Sequence, residues 1–283
     1  MIKHEFEQLT FIDSVSDNIR NTKFSSQYYN FLKKQYQKVK EDTFKPEEIN
    51  NDMKLKLLEQ LYNKAPQADI ENYINLNNNI SQIETHYIGS SPEVTVVDNF
   101  LTEEALRELQ KFCLSANIFK HPYPNGYLGA FLAKGLSNEF ILKLSQNLKI
   151  TFKKIFNNLY LTQAWIYKYD SEQSGINIHA DEAKVNVNFW ITSNQSNLDQ
   201  ETGGLLVWNK IPEKSWTFKD YNYIKNLSNI KNMLKRNKVS HIKIPHKENR
   251  AVIFNSKLFH ATDNYTFKND YKDRRLNVTF LYD

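Results

Sequence analysis

From Leu161 to the C-terminus the chain is a succession of short strand-like segments cut by turn residues, and nothing else in it limits the fold so strongly. LTQAWIYKY, INIHADEAKVNVNFWIT, GGLLVWNK, HIKIPHKENRAVIF and RRLNVTFLYD are rich in β-branched and aromatic residues. A helical insertion at about 211–240 interrupts them. Many strands spaced in this way specify an antiparallel barrel or sandwich.

Upstream the pattern is different. Residues 1 to about 85 read as helical. In SSQYYNFLKKQYQKV, Tyr29, Leu32, Tyr36 and Val39 recur at helical spacing. NDMKLKLLEQLYNKAP sets Leu57, Leu58, Leu61 and Tyr62 on one face and stops before Pro66. DIENYINLNNNI is a weaker third helix. These helices are expected to support the next domain, or to present a surface for a protein partner or a homodimer. Gly89, Ser90, Ser91 and Pro92 then mark a boundary, which gives a helical region at 1–88 and a β domain at 89–283. VTVVDNF opens that domain as a strand. Thr102 is the expected cap of the following helix, with Glu103 and Glu104 in its first turn. A second helix is expected from Ser137 to Leu159, and HPYPNGYLGAF between the two reads as a loop bordering a pocket.

Composition removes several classes. Of 283 residues 40% are hydrophobic, with 18 Phe and 16 Tyr, which is enough for a ring-rich core. The single cysteine, Cys113, rules out an internal disulfide and fits a reducing compartment. MIKHEFEQLTFIDSVSDNIR lacks a signal-type apolar run, and no stretch approaches a membrane span. The reading is a soluble, cytoplasmic protein. A net charge of +5 is spread among offsetting acids, and KNMLKRNK reads as a solvated helix face rather than a nucleic-acid site.

The chemistry sits in NIHADEAKVNVNFWI. Residues i and i+2 of a strand share a face, so His179 and Asp181 can aim at one point. NRAVIFNSKLFHATD supplies His260 on a later strand, which a closed barrel can bring alongside. Two imidazoles and one carboxylate with open positions suit a non-haem Fe(II) oxygenase, and a zinc hydrolase could use similar ligands. In the final strand Arg275, Asn277 and Thr279 share a face. A buried Arg there needs an anion and could hold a carboxylate bidentately.

In order, VTVVDNFLTEEALREL, YKYDSEQSGINIHAD, NFWITSNQSNLDQETGGLLVW, IPHKENRAVIFNSKLFHATD and RRLNVTFLYD resemble the elements of the Fe(II)/2-oxoglutarate-dependent dioxygenases, in their prolyl-hydroxylase-like branch. The resemblance covers about Val94 to Asp283. It implies a double-stranded β-helix, a jelly-roll core with supporting helices. It implies His179, Asp181 and His260 as iron ligands and Arg275 as the anchor of the far carboxylate of 2-oxoglutarate. Thr279, Asn188, Trp190 and Tyr169 fall at positions lining that pocket. NYTFKNDYKD lengthens the gap before Arg275, which leaves Arg274 as an alternative anchor. The implied reaction takes Fe(II), 2-oxoglutarate and O2, hydroxylates an unactivated C–H of a peptidyl residue or small amino-acid-like substrate, and releases succinate and CO2. Asn186 and Asn188 are unusually polar for a core strand and call for partners. Tyr123, Tyr127, Trp216, Tyr221 and Tyr223 are candidate lids, and Gly203 and Gly204 a backbone requirement. Two alternatives stand beside this reading: a cupin-type metalloenzyme that does not use 2-oxoglutarate, and a helical scaffold carrying an inactive barrel.

Overall fold

The computed structural model describes residues 1–15, 26–60, 64–171 and 175–283. Its helices and strands follow in the order α1 (Ile2–Val15), α2 (Ser26–Lys40), α3 (Asn51–Leu58), α4 (Ile80–Gly89), β1 (Val94–Val97) and α5 (Glu103–Ser115). Next come β2 (His121–Tyr123), β3 (Tyr127–Phe131), α6 (Glu139–Thr151), α7 (Lys153–Phe156), β4 (Leu161–Tyr169), β5 (Val185–Trp190) and β6 (Leu205–Trp208). The chain ends with α8 (Phe218–Asn222), α9 (Leu227–Arg236), β7 (His241–Ile244), β8 (Arg250–Asn255), β9 (His260–Thr262) and β10 (Leu276–Tyr282).

The strands form two antiparallel sheets. The larger has the order β1-β8-β5-β10-β4-β3-β2 and the smaller β7-β6-β9. This is the jelly-roll core expected from the sequence. β5 and β10 are buried along their whole length, because helices cover one side of the large sheet and the small sheet faces the other. The helix-covered side is the main core, where Phe140, Leu144 and Leu148 of α6 meet Phe189 of β5 and Val278 and Phe280 of β10.

Local chemistry sets the helix ends. Thr102 caps α5, its Oγ1 accepting from the Ala105 amide, and Ala105, Leu109, Phe112 and Cys113 form the buried stripe. Asn138 caps α6 in the same way. The helix expected from Ser137 to Leu159 is in fact two helices. The backbone leaves helical geometry at Phe152, and the Glu84 carboxylate of α4 accepts the Lys154 amide at 2.6 Å, so a new helix starts there. The segment 121–131, expected as a loop, is the β2–β3 hairpin. Gly126, at φ 75°, makes its turn, and its amide donates to the Tyr123 carbonyl.

In the N-terminal region α1, α2 and α3 share a small apolar cluster around Leu9, Ile12, Leu32, Met53 and Leu57. Leu58, expected beside Leu57, is exposed instead, since α3 ends there. Leu61 and Tyr62, assigned to the same face, lie outside the described residues. The weak third helix does not form over 69–78, where Tyr73 and Ile74 pack as irregular chain into the main core. α1 is tied to the β domain by polar contacts: Gln8 donates to the Leu114 and Ala116 carbonyls, and Lys120 meets Glu5 at 2.8 Å. Among the described residues no helix is long and apolar enough to cross a membrane.

Candidate active site

The face of the large sheet turned away from the helices borders a cavity of about 470 Å³. His179, Asp181 and His260 stand on its wall, each offering one ligand atom, and these atoms all lie within 4.8 Å of one another. His260 opens β9, as expected. His179 and Asp181 are not in the strand the alternation suggested, because β5 begins only at Val185. They are placed by backbone bonds instead. His179 and His260 exchange N–H···O bonds of 3.0 and 2.8 Å, and the Asp181 amide donates to the Ser256 carbonyl. The turn before β9 thus pins both segments at one spot.

The rings are oriented from behind. His179 Nδ1 lies 2.8 Å from the Asn177 carbonyl oxygen, and His260 Nδ1 2.8 Å from that of Leu258. This leaves both Nε2 atoms facing Asp181, at 3.9 and 3.5 Å from its carboxylate oxygens. Asn186 donates to Asp181 Oδ2 at 3.1 Å. Burial, with His260 adding to it, holds the His179 imidazole down to about 4, so it is neutral at pH 7. Burial alone would raise the Asp181 carboxyl. The partners that face it, His260 first and then His179, outweigh that effect, and the group lies below its ordinary value. Two imidazoles and an ionised carboxylate, each steadied by an outer partner, are what a divalent transition metal requires.

Arg275 lies just before β10, buried at the inner end of the cavity. Its Nε donates to the Gly203 carbonyl at 2.6 Å and one Nη to that of Gly204 at 3.2 Å. Gly203 adopts φ 85°, and a Cβ on Gly204 would fall 1.9 Å from the Ile244 carbonyl oxygen. The two glycines therefore satisfy a backbone requirement, and they also expose the carbonyls that hold the guanidinium, a role not foreseen. The other nitrogen, Nη1, is buried with no hydrogen-bond partner of good geometry among the described residues. An orphaned guanidinium N–H in a cavity is a seat for an anion. Arg274, the alternative anchor, points to the other side of the sheet and pairs with Glu7 of α1.

The remaining expected residues divide. Tyr169 lines the cavity, with the Arg275 guanidinium 4.6 Å from its ring centre. Thr279 and Asn188 line it too, the Asn188 amide donating to Thr279 Oγ1. Trp190 does not reach it, being packed behind Arg275 among Leu205, Val207 and Val252. The side-chain carbonyl oxygens of Asn186 and Asn188 are buried without hydrogen-bond partners among the described residues. Of the candidate lids, Tyr123, Tyr127 and Tyr223 border the cavity. Trp216 packs on Phe259, and Tyr221 donates to Glu182, both away from it. Sequence reasoning missed Gln163, Trp165 and Tyr167, although they alternate with Tyr169 along LTQAWIYKY, the signal of a shared strand face.

No family model matches the chain, and no curated protein matches it in sequence. Solved structures do match in shape. The non-heme alpha ketoglutarate dependent epimerase SnoN from nogalamycin biosynthesis superposes with a TM-score of 0.51 at 9% identity, over 72% of this chain and 82% of that one. SnoN in complex with Fe3+, alpha ketoglutarate and nogalamycin RO gives the same figures. A prolyl-4-hydroxylase from Pseudomonas putida gives 0.47 at 11% identity, over 72% of this chain and 99% of that one. The chain has the jelly-roll fold of the Fe(II)/2-oxoglutarate oxygenases.

Proposed function

We propose that this chain is a 2-oxoglutarate-dependent non-haem iron dioxygenase that hydroxylates an unactivated C–H bond of a small-molecule or peptidyl substrate and releases succinate and CO2. One observation carries the reading. A 2-His-1-carboxylate cluster and a buried guanidinium with an unpaired N–H line the same cavity. A metalloenzyme without 2-oxoglutarate would have no need to bury a guanidinium with no carboxylate partner in the cavity that holds its metal.

In this reading His179, Asp181 and His260 hold the iron. Arg275 and Thr279 receive the far carboxylate of the cosubstrate, with Tyr169 and Asn188 bounding its place and Trp190 backing Arg275. Iron(II) with 2-oxoglutarate and O2 supplies the oxidising power once bound. The chain does the positioning. The Asn177 and Leu258 carbonyls fix the imidazole tautomers, Asn186 aims the carboxylate, and the Gly203–Gly204 carbonyls hold the guanidinium at the inner end. The aromatic wall of β3 and β4 keeps water from that end.

The test is anaerobic loading with Fe(II) followed by 2-oxoglutarate. The expected result is a weak visible absorption band that is absent in Asp181→Ala, then succinate release on admitting air. Binding of iron without that band, and no succinate, would replace this reading with the metalloenzyme that does not use 2-oxoglutarate.

A further inference from the structure

The cavity is wider than the metal and Arg275 need, and its outer wall has a composition of its own. Across the sheet, Tyr167 is in register with Asn277, Trp165 with Thr279, and Thr279 with Asn188. The face therefore runs in bands. Aromatic rings on β3 and β4 come first, then amide and hydroxyl groups on β10 and β5, then the His–Asp–His cluster. Gly129 makes the ring band possible. A Cβ there would meet the Phe131 ring at 2.7 Å and the Tyr167 ring at 3.1 Å, so bare backbone lets both rings lie over the hairpin. Phe131 and Trp165 remain half-buried at the cavity wall, and Gln163 is exposed at its mouth.

The wall carries almost no charge. Among the described residues, apart from the His–Asp–His cluster and Arg275, each given a task above, no Lys, Arg, Asp, Glu or His lines the cavity. Seven of the lining residues are Asn or Gln. A charged group lying on this wall, away from Arg275 and Asp181, would lose water and find no counter-ion there. A flat hydrocarbon would strand the amides. An amide side chain both donates and accepts, which suits adjacent hydroxyls, while a ring face suits a disc of C–H bonds.

Resting on the oxygenase reading for the inner end of the cavity, we infer that the substrate is an uncharged, hydroxylated ring, the chemistry of a neutral sugar unit. It lies on the Trp165–Tyr167–Phe131 band with its hydroxyls toward the amides. Of the substrates that the resemblance implies, a peptidyl residue or a small amino-acid-like molecule, the second suits this wall poorly when it is zwitterionic.

The test needs neither metal nor turnover. Saturation-transfer NMR on the metal-free protein would compare the methyl glycosides of glucose, galactose and mannose with those of glucosamine and glucuronic acid. Transfer to ring C–H protons is expected for at least one neutral glycoside. It should be at least fivefold weaker for both charged ones, and be lost in Trp165→Ala. Gln163→Glu, an exposed change that spares the core, should raise the glucosamine signal to that of the neutral sugar. Equal transfer for charged and neutral probes, none for any neutral one, or stronger transfer to a free amino acid or a blocked peptide would overturn the inference. Succinate release is scored separately, so the oxygenase reading can fail or stand without deciding this one.

Discussion

The Arg275 guanidinium carbon lies 4.6 Å from the centre of the Tyr169 ring and 5.9 Å from that of Trp190, so the cation is walled by aromatic faces, and its Nη1 has no well-aligned hydrogen-bond partner among the described residues. Burial lowers its pKa, and the nearby tyrosines act against that, yet a guanidinium stays charged at any pH of interest. Its free N–H is the asset. Arg275→Leu is expected to weaken 2-oxoglutarate binding by about 30- to 1,000-fold, the loss of a charge-assisted pair of roughly 2–4 kcal/mol. Arg274→Gln breaks the contact with Glu7 and should leave that affinity within about twofold. Calorimetric titration of both variants with 2-oxoglutarate would check this. Equal losses would mean that the anchor is misassigned.

Gly204 is where sheet geometry and the guanidinium meet. A methyl group there would collide with the Ile244 carbonyl at 1.9 Å, and backbone cannot swing aside as a side-chain tip can. Gly204→Ala should cost about 2–4 kcal/mol of stability and shift the carbonyls that hold Arg275. Urea unfolding gives the first effect, and 2-oxoglutarate affinity in the folded fraction gives the second. A variant as stable as the parent would show that β6 and β7 can separate at no cost.

Much of this was legible in the strand segments themselves. Alternation and turn residues located β4, β5, β6, β8 and β10, and the order of His179, Asp181, His260 and Arg275 along them pointed to one cavity. What escaped was set by long-range contacts. The helix break at Phe152 depends on Glu84, some seventy residues earlier, and no local pattern announces it. The hairpin at His121–Phe131 is too short for alternation, though Asn125-Gly126 carried its turn signal. His179 and Asp181 share a side through bonds to His260 and Ser256, not through strand pleating. Trp190 sits on the right strand but behind Arg275 rather than in the cavity.

Acid should weaken one surface tie selectively. Arg250 donates to Asp98 through Nε and an Nη, and Lys247 adds a third bond, which brings the Asp98 carboxyl down to about 2. Its unfolded value is near 3.9. A depressed carboxyl stabilises the fold above its unfolded pKa, and that stabilisation disappears as pH falls from about 4 toward 2. Asp98 is 36% exposed, so solvent screening limits the gain to about 0.5–1 kcal/mol. The stability difference between the parent and Asp98→Asn should be constant from pH 7 to 5 and shrink below pH 4. A difference that grows on acidification would reverse the sign and rule out this pairing.

Asn186 is expected to act on the metal without touching it. Its amide donates to Asp181 Oδ2 at 3.1 Å, which fixes the carboxylate that faces both imidazoles. Partners of this kind contribute about 10- to 100-fold to metal affinity. Asn186→Ala should therefore lower Fe(II) or Ni(II) affinity by that factor, while His260→Ala, which removes a proposed ligand, should lower it further. The readout is metal titration by calorimetry, supported by the metal-induced rise in unfolding temperature, which should shrink in Asn186→Ala and vanish in His260→Ala. Unchanged affinity in Asn186→Ala would mean that the carboxylate is oriented by its own backbone bond to Ser256 alone.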